Sequence, residues 1–259
     1  MDAVRFLTRV PLPGRSRDAS DLARSVPWFP VVGGLVGAFV AGVYVAAIEL
    51  LPGAVAAVVA IVSGLLLTGA FHEDGLADSA DALIGAPHDD LPSGGLSDDS
   101  KVLRILRDPT LGTYGVLALV AGFALRVSVI TGLDAMSAVA ALIAAHSLGR
   151  AAAVGAMSIG PAAADGLGAG YARGVSRRQI AVAITTGVTI SAVAIGVWAI
   201  AAVAVAGIGA LSVIRYARRR VGGITGDILG AVEQIAEMGV LLVAIAIVHN
   251  GWAEFPWWR

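Results

Sequence analysis

The stretch His72-Glu73-Asp74-Gly75-Leu76-Ala77-Asp78-Ser79-Ala80-Asp81 places four carboxylates within nine residues. Asp74, Asp78 and Asp81 are spaced i, i+4, i+7, which on a helix stacks all three on one face. Like charges at that spacing oppose helix formation, so the segment calls for a counter-charge. An all-oxygen cluster, in a chain without cysteine, suits Mg²⁺, Mn²⁺ or Ca²⁺. A divalent ion held there would bridge phosphate oxygens and neutralise the charge that develops in phosphoryl transfer. The competing reading is a solvated acidic turn at the exit of a membrane span. His72 is either a ligand or substrate contact, or simply a polar neighbour at an interface.

A second polar group lies far along the chain. Asp227 follows Gly222-Gly223-Ile224-Thr225-Gly226, a turn whose backbone N–H groups could approach a phosphate. Glu233 and Glu237 follow at i, i+4, a spacing that His146 and Arg150 repeat, and Arg126 stands alone in another apolar run. Ionisable groups at membrane depth are costly and face the bundle interior. Two arrangements remain open. Arg126 or Arg150 pairs with Glu233 or Glu237, or Asp227, Glu233 and Glu237 complete a metal or proton-transfer site. Both bring the last span close to the third and fourth. Arg107 and Asp108, in the run Arg104–Gly115, form either an anion-holding turn or an ordinary loop entering a helix. The Gly-, Pro-, Ser- and Asp-rich stretch Gly85–Ser100 reads as a mobile loop that would lie over the acidic face.

The elements that must carry these residues follow from composition. The 259 residues are 57% hydrophobic and 14% charged, against about 45–50% and about 25% in soluble domains. So little charge cannot coat a soluble globule, and so apolar a chain is not disordered. A net charge of -1 argues against nucleic acid as a partner. What remains is an all-α, polytopic integral membrane helix bundle in a lipid bilayer, read as one domain over 1–259.

Spans of about 20 apolar residues occur at Phe29–Leu51, Ala54–Phe71, Gly112–Leu133, Ala135–Met157 and Ile228–Val248. The run Ile180–Ile214 has 35 residues, about 52 Å as a single helix against a hydrocarbon core of about 30 Å. Lys and Arg collect in cytoplasmic loops. Fifteen of the 18 basic residues share one side if this run crosses twice, turning near Trp198–Ala202. That predicts seven transmembrane helices (six if it crosses once), with the N-terminus cytoplasmic. Residues 1–28 form a cytoplasmic or interfacial arm, helical until Pro11 and Pro13 or else merely flexible. Residues 72–111 form a cytoplasmic catalytic loop.

With these stretches in place, the chain resembles the adenosylcobinamide-GDP ribazoletransferase (cobalamin synthase) family. The match rests on Phe6–Pro11 with Phe29–Gly33, on His72–Asp81, on Asp108–Gly115, and on Gly222–Asp227 continuing to Glu237. Gly166-Leu167-Gly168 with Arg173 is a weaker match, and Ala82 departs from an expected glycine without removing a carboxylate. The resemblance implies a Mg²⁺-dependent enzyme of cobalamin (vitamin B12) biosynthesis in the bacterial plasma membrane, with its active site facing the cytoplasm. Adenosylcobinamide-GDP would give its phosphate to α-ribazole or its 5′-phosphate, and GMP would leave. Asp74, Asp78, Asp81 and Asp227 would hold the metal, and Glu73 or Glu237 would be the base. His72, Arg107, Asp108, Arg126, Arg150 and Thr225 would contact substrate or phosphate. A homo-oligomer, or association with other corrinoid-assembly enzymes, fits the same picture. The Asp-Gly-Leu-Ala-Asp-x-x-Asp stretch also looks like the metal motif of CDP-alcohol phosphotransferases of lipid synthesis, the alternative. A membrane transporter fits less well, because the acids cluster at a span's end and no half of the chain repeats.

Overall fold

The structure, a computed structural model, describes residues 1–13, 23–85, 105–106, 110–159 and 174–256. Among them the fold is entirely helical. In chain order the helices are α1 (Asp2–Leu7), α2 (Phe29–Ile48), α3 (Gly53–Thr68), α4 (Phe71–Ala80), α5 (Thr113–Gly132), α6 (Ala135–Ala156), α7 (Arg177–Ile195), α8 (Ala199–Val221) and α9 (Gly226–His249). A short 3-10 turn, Val26–Trp28, leads into α2. The expected spans are found to within a few residues. The helix starts are chemically marked. Asp134 accepts the backbone N–H groups of Met136 and Ser137, each at 3.0 Å, Ser176 and Gln179 form a reciprocal capping box on α7, and Thr225 accepts from Ile228 on α9. Such caps satisfy donors that would otherwise end a helix unpaired.

Alanine-rich α6 is the axis of the bundle, mostly buried and packed between α2, α7 and α9. Five helical runs are long and apolar enough to cross a membrane, or six if the bent pair α3–α4 counts as one. One of the five, Arg177–Val221, doubles back. Ile184, Gly187 and Ser191 of α7 lie beside Gly155, Ala151 and Ala144 of α6, so these two helices are antiparallel. Gly149 and Ser137 of α6 lie beside Glu233 and Phe255, so α6 is antiparallel to α9. Val205 and Gly209 of α8 lie beside Gly239 and Ile235, so α8 is antiparallel to α9 too. It follows that α7 and α8 run in opposite directions, as the double crossing requires. The reversal falls at Gly196–Trp198, slightly earlier than expected, because Gly196 has φ 64, a left-handed angle that glycine adopts without cost. Trp198 stacks on Trp252 at this end, rings 6.0 Å apart, in keeping with an interfacial aromatic belt.

At the opposite end α3 stops at Gly69 (φ 72), Ala70 follows in the same left-handed region (φ 54), and α4 leaves at 93° to α3. The segment expected as a loop from residue 72 therefore begins as a helix lying across the end of the bundle. An alanine at positive φ costs roughly 1–3 kcal/mol, so the corner is held from outside. The Arg9 N–H donates to the Leu67 carbonyl at 2.7 Å, and Phe6 packs on both Phe29 and Phe71, at 5.5 and 5.3 Å. Residues 1–9 of the N-terminal arm thus pack against the bundle, with Ala3 and Leu7 buried.

Candidate active site

α4 carries the acids, and its packing decides what they face. At Gly75 an added β-carbon would lie 2.7 Å from the Asp227 carbonyl, and at Gly230 it would lie 3.2 Å from the Gly75 Cα. The backbones of α4 and α9 therefore touch where they cross, a distance only small residues permit. This crossing sets Asp74 and Asp78 beside Asp227, across 149 residues from Asp78. Asp74 is exposed, and Asp78 and Asp227 are half-buried. Burial, then the charges of Asp74, Asp227 and Asp81, push the Asp78 carboxyl up to about 6. A Gly75→Ala substitution is expected to destabilise the protein by about 1–3 kcal/mol through overpacking. Gly42→Ala, whose β-carbon meets nothing within 4 Å, is the control. Unfolding in mild detergent checks both, and equal stability of the two variants would refute the tight crossing.

Asp81 has a different position from its helix neighbours. Its two oxygens accept the N–H groups of Gly112 (2.7 Å) and Gly115 (2.9 Å), clamping the start of α5 to the end of α4. A side chain at either glycine would strike the Asp81 carboxylate, which explains the glycines of the Asp108–Gly115 motif. Thr225 caps α9 immediately before Asp227.

Beneath the acids lies a buried network of charge. Arg126 of α5 donates to Glu237 at 3.1 Å and to Gln234. Arg150 of α6 reaches Glu237 at 2.9 Å and also pairs with Glu233. His146 stands 2.8 Å from Glu237. The first arrangement weighed for these four charged residues is thus the one found: Arg126 is tied to Glu237, and Arg150 to both Glu233 and Glu237. Arg126, Arg150 and Glu237 line a cavity of about 30 Å³ together with Glu73 and His146, polar enough and roomy enough to hold water. His72 lies 3.8 Å from Glu233, but burial and the Arg150 guanidinium lower its pKa well below the usual imidazole value.

One residue of the network carried no expectation. Gln234 donates to Glu73 at 3.0 Å and to Glu233 at 2.8 Å while accepting from Arg126. Its signal in sequence was an amide inside an apolar run, between two glutamates.

Among the described residues, ligand-type atoms of His146, Glu233 and Glu237 converge within 4.8 Å. The Arg150 guanidinium already pairs with both glutamates there, so a cation would have to displace a cation. Asp74, Asp78 and Asp227 form no such closed group. Their chemistry still fits Mg²⁺, which is bound by one or two carboxylates plus substrate phosphates and retained waters. Arg107, Asp108, most of Gly85–Ser100, and Gly166–Gly168 with Arg173 lie outside the described residues.

The family profile described as Cobalamin-5-phosphate synthase matches residues 1–245. An adenosylcobinamide-GDP ribazoletransferase of Bradyrhizobium diazoefficiens is 40% identical over 250 residues, covering 94% of this chain and 92% of that protein. Proteins of the same name from Azorhizobium caulinodans and Ralstonia nicotianae are each 37% identical, covering 93% and 94% of this chain and 94% and 93% of theirs. No solved structure matches. Matched over residues 1–245 by that profile and over more than nine-tenths of its length by relatives of one name, and carrying its acidic motifs on two touching helices, the chain belongs to the cobalamin-5-phosphate synthase family of membrane transferases.

Proposed function

We propose that the protein joins adenosylcobinamide-GDP to α-ribazole or its 5′-phosphate, releasing GMP, with Mg²⁺ at Asp74, Asp78 and Asp227. The observation that carries this is the Gly75–Gly230 crossing, which gathers carboxylates from two ends of the chain at one face of the bundle. Bound there, Mg²⁺ would supply positive charge to the pyrophosphate and to the departing GMP. The acceptor's ribose hydroxyl attacks the phosphorus that carries the corrinoid, the bond to GMP breaks, and the hydroxyl proton passes to a carboxylate. Of the two candidate bases Glu73 is favoured, because Glu237 is held by Arg126, Arg150 and His146. Glu73 uses one oxygen on Gln234, and its Oε2 has no hydrogen-bond partner. Arg126 and Arg150 act as counter-charges to the glutamates rather than on substrate phosphate. Asp81 serves by fixing α5 against the acidic helix.

The site lies on the cytoplasmic side of a bacterial plasma membrane. Arg177 and Arg178 at the start of α7, and Arg215, Arg218 and Arg219 towards the end of α8, share the end of the bundle that carries Asp227. Basic ends are retained inside. With α7 and α8 as separate crossings and α3–α4 as one, the count is seven, with the N-terminus inside.

Purified protein given adenosylcobinamide-GDP, α-ribazole or its 5′-phosphate, and Mg²⁺ is expected to release GMP stoichiometrically with corrinoid product. Chelation should stop the release. CMP release from a CDP-alcohol, with no GMP from the corrinoid, would refute the proposal.

A further inference from the structure

We infer that Gln234 is a positioning residue that fixes Glu73 for the acceptor hydroxyl. The inference deepens the reaction proposed above and rests on it. Gln234 is fully enclosed, with 1% of its surface exposed, in the middle of an apolar helix where a polar side chain is costly unless satisfied. Every polar group it has is engaged with an ionisable residue. Its amide nitrogen donates to Glu73 Oε1 of α4 at 3.0 Å and to Glu233 Oε2 at 2.8 Å, and its amide oxygen accepts from Arg126 of α5. One side chain therefore joins α4, α5 and α9. Of these contacts, the bond to Glu73 is the one made to the acidic helix, and it too lies within the buried network.

Glu73 precedes Asp74 on α4 and is half-buried as a residue, while its Oε2 atom is itself buried and has no hydrogen-bond partner. A glutamate has three side-chain torsions, and its carboxylate wanders unless one oxygen is anchored. Gln234 supplies that anchor from a helix that α4 already touches at Gly75 and Gly230. Arg126 in turn holds the amide oxygen, which sets the amide so that its nitrogen faces the two carboxylates. An arginine at position 234 would overfill the crossing, and a carboxylate would face Glu73 and Glu233 with like charge. Glutamine is the side chain of this length that donates to two carboxylates and accepts from a guanidinium at once.

The test uses the full-length protein in lipid or mild detergent, with kcat and KM for GMP release measured beside thermal unfolding. Gln234→Leu is expected to lower kcat by roughly a hundredfold, the scale of misplacing a reacting group by about 1 Å, while KM for both substrates stays within about threefold. The exchanged pair, Glu73→Gln with Gln234→Glu, keeps an amide–carboxylate hydrogen bond between the two positions but removes the carboxylate from α4. It is expected to recover most of the thermal stability and none of the turnover. Recovery of wild-type kcat by the exchanged pair would show that Gln234 is only a structural bridge and would overturn the assignment. So would a Gln234→Leu protein with unchanged kcat, or one whose loss is wholly in KM. If wild-type protein releases no GMP from the corrinoid substrate, the reaction itself falls, and this role falls with it. That result is read before any variant is made.

Discussion

Asp78→Asn is expected to yield a protein that inserts and folds normally but turns over at least ~1,000-fold more slowly, several kcal/mol of lost charge stabilisation at the metal. Asp78 is the acid that the other three press upon, its carboxyl raised to about 6 by burial and by Asp74, Asp227 and Asp81. Removing its charge relieves that repulsion, so the apo protein should melt no lower than wild type. Asp227→Asn should show the same split from the opposite helix. The double variant should be little worse than either single one, because groups acting as a unit are lost together. GMP release and thermal melting on the same preparations check these statements. An Asp78→Asn protein with normal Mg²⁺-dependent turnover would remove the acids from the site.

Glu237→Ala is expected to show the reverse pattern, a failure of folding before any question of catalysis. Glu237 takes Arg126 on one oxygen and Arg150 with His146 on the other, the glutamate and both arginines buried and His146 half-buried. Deleting it leaves Arg126 with the neutral Gln234 and Arg150 with Glu233 alone, and breaking a buried pair from one side costs about 3–5 kcal/mol. That is a large share of a net stability of about 5–15 kcal/mol. Little protein should accumulate in the membrane. The quadruple change Arg126→Met, Arg150→Met, Glu233→Leu and Glu237→Leu should recover accumulation, because apolar replacement of a whole buried ionic group is often neutral or stabilising. Membrane yield, and the melting of whatever is purified, distinguish the cases. Full yield and unchanged melting for Glu237→Ala would contradict the network.

These two variants mark the boundary of what the chain discloses without its fold. The shared face of Asp74 and Asp78 was readable, because i, i+4 spacing is a local property of one helix. So were the spans, whose apolar length is set by the bilayer, and the family. The partners of Arg126 and Arg150 were not, since spacing shows which residues share a face and not which face meets which. Asp81 shows the limit most plainly. Its i+7 spacing grouped it with the other acids, yet its oxygens turn to two backbone N–H groups more than thirty residues away, a contact with no periodicity to announce it. Gln234 was passed over because a neutral side chain raises no charge to be balanced. The turn expected near Trp198–Ala202 was placed a few residues late for want of a Pro or Asn-Gly signal, a lone glycine with a left-handed angle at 196 being enough to make it.

The long-range ion pairs also put the chain on a timetable. Arg126 and Arg150 leave the ribosome 111 and 87 residues ahead of Glu237. At about 5–20 residues per second, both arginines wait on the order of 10 s beside a growing bundle that lacks their counter-charge. During that interval the acidic helix has no Asp227 to lie against, and every intermediate is both inert and electrostatically unfinished. When α9 follows, it brings Glu237 to both arginines and Asp227 to the acidic helix in the same step, so the charge balance of the bundle and its candidate site are completed together.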